Sequence, residues 1–300
     1  MKVLIGPSSF GQADPTPLNL LTEAGLRVMP NPFGRKLTKS EVLELLPGCM
    51  GLIAGLECVD HEVLSTPGLR VVSRCGSGLS NVNLDVAGEL GVKVFSTPEG
   101  PTQAVAEMTL GVMLGMMRNV VTMNDRMHKR QWHKQVGCQL KGKTILIIGF
   151  GRIGRRLAEL LEPFDLRILI CDPQATGGDC VYEIVSLVDG IPQADIITLH
   201  ASGESILLGH SELNLVQKGT FILNAARGTL VDEEALLQYL KNGSIAGCWM
   251  DTFSREPYQG PLCGMDNVIL TPHVGSYTRE GRLNMEMEAA TNLLKGLKLR

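Results

Sequence analysis

The chain has 300 residues, enough for two ordinary domains with a core in each. Its 44% hydrophobic content is that of a globular protein, and a net charge of −3 argues against a nucleic-acid binder or a membrane-surface protein, leaving a small-molecule partner. Eight cysteines, at 49, 58, 75, 138, 171, 180, 248 and 263, form no CxxC pair and no Cys/His cluster at zinc spacing, so the sequence predicts reduced thiols of a cytosolic protein, with neither disulfide nor metal.

The N-terminal MKVLIGPSSF has one basic residue and an apolar run broken by Gly6-Pro7, too little for a signal peptide, and reads as a first strand. Up to about residue 96, strand-like runs (KVLI, LRVM, MGLIA, LRVVS, VKVF) alternate with helical patterns such as Pro17 to Ala24 and Thr38 to Leu46. That alternation argues for a parallel sheet covered by helices on both faces. From Ala104 to Met123 the pattern AVAEMTLGVMLGMMRNVVTM predicts one buried helix. Glu107 and Arg118 interrupt it, and the uncharged stretch between Met108 and Met117 is short of the ~20 residues a bilayer requires. Apolar residues on nearly every face call for a second packing surface, and a homodimer formed through 104–123 supplies one. A second series of strands follows: KTILIIG, LRILICD, ADIITLH, GTFILNAA, SIAGCWMD and NVILTPH. Two doubly wound α/β domains are therefore expected, one discontinuous (1–97 plus 275–300) and one from 98 to 274.

In ILIIGFGRIGRRLAELLEPF, Gly149, Gly151 and Gly154 come directly after a strand-like run and open a helix whose apolar face is Ile153, Leu157, Leu160 and Leu161. The spacing meets a specific demand: Gly149 for the tight turn, Gly151 for backbone approach to a pyrophosphate, Gly154 for close helix–strand packing. The helix start, with Arg152 and Ile153, offers unpaired N–H groups and a positive dipole end to phosphates. The next strand ends in Asp172, 18 residues after Gly154, near the ~20 expected of an acid that binds the adenosine ribose. A carboxylate there favours NAD over NADP, and the following PQATGG holds no Arg for a 2′-phosphate. The plainer role for Asp172 is that of a turn residue before Pro173. The glycine loop makes the second domain a Rossmann-type NAD-binding domain.

His273, in LTPHVGS, has two readings: a packed core histidine, or a group that moves protons. Arg227 after ILNAA, and Asp251 and Glu256 in CWMDTFSREP, also follow strands of the second series. Ionisable groups at the ends of successive strands of one sheet converge on one rim, the rim to which the glycine loop delivers a nicotinamide. An imidazole with an ordinary pKa of ~6.5 suits removal of a hydroxyl proton near neutral pH. Glu256 favours its imidazolium, and the fork of Arg227 suits a carboxylate and a developing oxyanion.

The order of RCGSGLSNVNL, STPEGPTQAVAE, LKGKTILIIGFGRIG, NAARGTLVDEEAL, DTFSREP and TPHVGS resembles the D-isomer-specific 2-hydroxyacid dehydrogenases over nearly the whole chain, most closely the branch acting on 3-phosphoglycerate. The resemblance implies a flavodoxin-like substrate domain beside the NAD domain. It implies that Arg227 binds and polarises substrate, that His273 is the acid/base held by Glu256, and that Asp251 touches the nicotinamide carboxamide. It adds Thr102, Pro173, His200, Ala225 and Ala226 to the cofactor contacts. In the loop SRCGSGLSNVN, Gly76, Ser77 and Gly78 would turn backbone N–H groups to the substrate carboxylate, with Arg74 for a second anionic group.

The chain departs from the family pattern at Ser80 and Asn83, where acids are usual, at Pro101 in place of Asn, and at Ser202 and Glu204 after His200. These leave the reaction type intact and bear on the substrate. The expected function is NAD-dependent oxidation of a small anionic D-2-hydroxy acid, with 3-phosphoglycerate first and glyoxylate, hydroxypyruvate or D-lactate as alternatives. A non-catalytic NAD-sensing protein is the rival from another class. The end at Arg300 leads to the further expectation that a C-terminal regulatory domain and serine inhibition are absent.

Overall fold

The computed structural model describes residues 1–175 and 180–299. The end of PQATGG, from Thr176, and the terminal Arg300 lie outside the described residues. The chain divides into two compact units, Met1–Thr102 with the residues from Ser276 onward, and Gln103–Gly275. The first boundary falls five residues beyond the expected 97, because strand β5 (Lys93–Phe95) is followed by a turn that runs up to the helix starting at Thr102.

Unit 1 is a five-stranded parallel sheet of β1 (Lys2–Ile5), β2 (Arg27–Met29), β3 (Gly51–Ala54), β4 (Val71–Arg74) and β5 in the order β2-β1-β3-β4-β5, the flavodoxin-like arrangement. One face buries Leu4, Leu52 and Val72 with Val42 and Val63. The other buries Val3, Ile53 and Val71 with Met285, Ala289, Leu293 and Leu294. Those last four come from one face of the Arg279–Leu297 helix, which is capped by Thr278 and tied to β4 by Ser73 Oγ donating to the Ala289 carbonyl at 2.8 Å. Each large apolar side chain removed from water here contributes about 1.5–3 kcal/mol. Gly51 lets Leu293 reach the sheet: a Cβ at that position would lie 2.7 Å from Leu293 Cδ1.

Unit 2 is a seven-stranded parallel sheet of β6 (Thr144–Ile148), β7 (Arg167–Cys171), β8 (Glu183–Ile184), β9 (Ile196–Leu199), β10 (Thr220–Asn224), β11 (Ile245–Met250) and β12 (Val268–Leu270). Its order, β12-β11-β10-β9-β6-β7-β8, is the Rossmann arrangement extended by one strand, and it reverses direction between β6 and β9. β6 is buried at four of its five positions, as expected of a central parallel strand covered on both faces. The two-residue β8 has no counterpart among the expected strands, being too short and too exposed to leave an apolar run.

The helix expected over Ala104–Met123 is two helices, Thr102–Met117 and Val120–His128, bent by 65°. Asn119, at φ 52, makes the break; asparagine is among the few non-glycine residues that enter the left-handed region readily. Among the described residues no single helix is long and apolar enough to cross a membrane. The first helix buries Ala106, Met113, Met116 and Met117 against the β6 side of the sheet, whereas Met108, Leu110, Val112 and Leu114 stay half-buried.

Candidate active site

Each glycine of the loop after β6 meets a different steric condition. Gly149 has φ 95, and a Cβ on it would lie 2.3 Å from the Ala201 nitrogen, so the turn passes flush against the chain leaving β9. Gly154 packs on the same turn, its absent Cβ 2.2 Å from the Gly149 carbonyl oxygen. Gly151 caps the Arg152–Leu161 helix without a side chain, and a Cβ there would meet open space. The helix N-terminus is thus bare on the side that a phosphate would approach, which is the condition for dinucleotide binding. Leu157 and Leu161 are buried, Ile153 and Leu160 half-buried, and Arg152 exposed.

Asp172, at the end of β7, accepts from the Phe150 N–H at 2.6 Å through Oδ2 and from the Gln174 N–H at 2.8 Å through Oδ1. It therefore ties the glycine loop to the next strand, and each oxygen keeps a lone pair for a ribose hydroxyl. Pro173 is exposed beside it. His200, just past β9, has Nε2 3.0 Å from Thr198 Oγ1, while its buried Nδ1 has no hydrogen-bond partner among the described residues. Burial pushes this imidazole down to about 4.

On the opposite flank of the sheet, the end of β10 is shaped by Asn224. Its Oδ1 accepts from the Ala226 N–H and its Nδ2 donates to the Arg227 carbonyl, closing the turn that carries Ala225, Ala226 and Arg227. Arg227 Nη1 donates to the Ala226 carbonyl at 2.7 Å, so the guanidinium is held over its own turn. Gly228 follows, backbone to backbone with Phe253 and Ser254; a Cβ on it would come within 1.9 Å of the Phe253 carbonyl carbon.

After β11 and β12 come the acid and the histidine. His273 Nδ1 faces both carboxylate oxygens of Glu256, at 3.1 and 3.0 Å, and each side chain is 33% exposed. An ionised carboxylate only accepts, so Nδ1 carries the proton and Nε2 is left for chemistry. His273 itself lies at φ 55, in the left-handed region. The loop that imposes this is gripped by Asp251, which accepts from Thr271 Oγ1 at 2.5 Å and from the N–H groups of Val274 at 2.9 Å and Gly275 at 2.8 Å. Thr271 in turn accepts from Trp249 Nε1 at 2.9 Å. Asp251 is 1% exposed. Three of its four lone-pair directions serve the loop, which leaves one on Oδ2 unused by it.

In unit 1, Arg74 folds back to donate to the Cys75 carbonyl at 2.9 Å, and its guanidinium fills the space a Gly76 side chain would occupy. The Gly76 N–H is donated to Thr97 Oγ1 at 2.6 Å and is therefore not turned to a ligand as expected; Ser77 is exposed and Gly78 half-buried beside it. Asn83 accepts from the Val86 N–H and caps the Leu84–Glu89 helix, a task Asp performs equally well, so this departure from the family pattern is a change of cap. Thr102 opens its helix, with Oγ1 donating to the Pro98 carbonyl.

Sequence reasoning missed Asn224 and Thr97. For Asn224 a signal existed, since an Asn two residues before a turn N–H is an Asx-turn pattern. For Thr97, 21 residues from its partner, none did.

The model of the D-isomer specific 2-hydroxyacid dehydrogenase NAD binding domain matches residues 110–275. A D-3-phosphoglycerate dehydrogenase from Archaeoglobus fulgidus is 31% identical over 279 residues, covering 88% of this chain and 53% of its own. A glyoxylate reductase from Aeropyrum pernix is 33% identical over 286 residues, covering 89% of this chain and 84% of its own. The crystal structure of TT0316 protein from Thermus thermophilus superposes with a TM-score of 0.91 at 33% identity, covering 100% of this chain and 98% of that one. The chain spans about half the length of the phosphoglycerate dehydrogenases it matches.

Proposed function

The chain belongs to the D-isomer-specific 2-hydroxyacid dehydrogenases, and from that membership we propose that it interconverts a small anionic D-2-hydroxy acid and its keto acid with NAD, 3-phosphoglycerate being the physiological substrate. The observation that carries the reaction is the Glu256–His273 pair, with Nδ1 committed to the carboxylate and Nε2 open.

When bound, nicotinamide would supply the hydride acceptor for the substrate's C2–H bond in oxidation and the hydride donor in reduction. The hydroxyl proton goes to His273 Nε2, and the C2–O bond becomes a carbonyl. Glu256 stabilises the imidazolium so formed. Arg227 donates to the substrate's carboxylate and to the oxygen that carries negative charge in the transition state. Asp251 holds the His273 loop and would accept one hydrogen bond from the carboxamide of bound NAD. Unit 1, taken by itself, offers the Ser77 and Gly78 N–H groups to a carboxylate and Arg74 to a second anionic group. With the cofactor bound, Gly149, Gly151, Arg152, Ile153 and Gly154 would hold the pyrophosphate, Asp172 and Pro173 the adenosine ribose, and Thr102, His200, Ala225 and Ala226 would be the remaining contacts.

A glyoxylate-type reductase is the second reading, favoured by the relative from Aeropyrum pernix, 84% of whose length is matched. NADH oxidation by the purified protein with phosphohydroxypyruvate, hydroxypyruvate, glyoxylate and pyruvate tests both. A kcat/KM highest for phosphohydroxypyruvate supports the first, highest for glyoxylate the second, and no turnover of any acid refutes the enzyme reading. The same proposal includes a cytosolic homodimer.

A further inference from the structure

We propose that Glu233 is a positioning residue for the Glu256–His273 pair, fastening the loop that carries Glu256. The role of the pair rests on the dehydrogenase reading above; the role of Glu233 rests on geometry alone.

Glu233 is the first residue of the Glu233–Lys241 helix, a place where an acid commonly serves the helix. Here the helix has another cap. Asp232 Oδ1 accepts from the N–H groups of Glu234 and Ala235, both at 3.0 Å. The Glu233 carboxylate turns away from its own helix to the loop after β11, where Oε1 accepts from the Ser254 N–H at 3.0 Å and from Ser254 Oγ at 2.8 Å. One residue earlier, the Phe253 N–H donates to Glu256 Oε1 at 3.2 Å. Successive amides of one loop are thus bound to two carboxylates, Glu233 on the scaffold and Glu256 at the site.

Two packing contacts also reach this loop. Gly228 presses on the Phe253–Ser254 peptide from the Arg227 side, and Phe253 stacks on Tyr258 at 4.3 Å between ring centres. Both are steric contacts and supply no hydrogen-bond acceptor to the Ser254 N–H, whereas Glu233 does. Residues 254–257 are exposed, so water competes for every polar group that Glu256 uses. Removing the Glu233 acceptor takes away the partner of the Ser254 N–H and hydroxyl, and the loop then holds the neighbouring Phe253 N–H, which orients Glu256, less firmly. The imidazole then loses a partner at fixed distance and orientation. The loss is one of alignment and not of binding.

Glu233→Ala should lower kcat roughly 10- to 100-fold, the size of effect expected from a displacement of about 1 Å at the reacting groups. KM for NADH should stay at the parent value. Glu233→Gln keeps an acceptor oxygen for both Ser254 donors and should restore most of the activity. Ser254→Ala, which removes only the hydroxyl donor, should fall between parent and Glu233→Ala. A readout independent of turnover is the imidazole 15N spectrum of His273, in which the Nδ1–H signal of the parent should lose its hydrogen-bonded shift in Glu233→Ala and recover it in Glu233→Gln. Parent-like kcat and 15N shifts in Glu233→Ala would overturn the proposal, as would a Glu233→Gln variant as impaired as the alanine. Should the alanine variant fail to fold, Ser254→Ala and Glu233→Gln carry the test by the same readouts. If the parent turns over none of the four acids, the enzyme reading fails, while the 15N comparison still decides whether Glu233 sets the imidazole.

Discussion

Glu256 presents both carboxylate oxygens to Nδ1 of His273, at 3.1 and 3.0 Å, and so fixes the tautomer as well as the plane of the ring. This relationship separates proton transfer from packing. His273→Gln should keep the fold, a Tm within a few degrees of the parent and NADH affinity, while kcat falls on the order of 10²–10⁴-fold, the usual worth of a positioned acid/base. Glu256→Gln keeps shape and a hydrogen-bond acceptor but removes the charge that stabilises the imidazolium formed on proton transfer, so kcat should fall while NADH affinity stays at the parent value. Unfolding by His273→Gln with normal activity in the folded fraction would return the histidine to a core role.

Cofactor choice turns on Asp172. The parent should show the higher kcat/KM with NAD, and Asp172→Ala should narrow its lead over NADP. The alanine variant also loses the acceptor for the Phe150 N–H at 2.6 Å, so some affinity for NAD itself should go with it. A parent that uses NADP as well as NAD would contradict this reading.

His200 predicts a pH dependence of stability. Burial lowers its pKa from the ordinary 6.5 to about 4, so between those values the unfolded chain binds the proton and the folded chain does not. The contribution is complete above pH 6.5 and is lost as pH falls toward 4. His200→Asn, without a titrating ring, should lose less Tm between pH 7 and pH 4.5 than the parent does. Equal losses in both proteins would show that the ring is not held neutral.

The bent helix pair carries the oligomer prediction. Val120 and Val121 are 52% and 53% exposed just past the bend, Met127 is 50% exposed, and the helix before it leaves Met108, Leu110, Val112 and Leu114 half-buried. A patch of this kind is expected to be covered. Light scattering at micromolar concentration should give a dimer for the parent, and Val121→Glu should shift it toward monomer without loss of folded signal. A monomeric parent would remove the interface from 104–123.

The parts legible in the sequence were those that answer a local demand. Gly149, Gly151 and Gly154 each satisfy a steric condition set within the strand–turn–helix, and apolar runs marked every strand longer than two residues. The positions of Arg227, Glu256 and His273 after successive strands led to the expectation of one shared rim, whereas the contact of Glu256 with His273 could not be read from spacing, and the expectation of it came from the family resemblance. The rest was illegible for two physical reasons. Asn119 breaks the helix inside a pattern that stays apolar through Val120 and Val121, so periodicity carries straight across it. Glu233 and Thr97 act on partners 21 residues away, and such bonds leave no trace in local composition.

The left-handed backbone of His273 also bears on which residues this position can hold. At φ 55 any side chain other than glycine costs about 1–3 kcal/mol, and a loop gripped at Thr271, Val274 and Gly275 gives no way to relax it. Glycine or asparagine would sit there at lower energy. Histidine at 273 is therefore the less stable choice for the folded chain, and drift under selection for stability alone would run away from it. An imidazole kept at such a position is what the proposed proton transfer calls for and what stability alone does not.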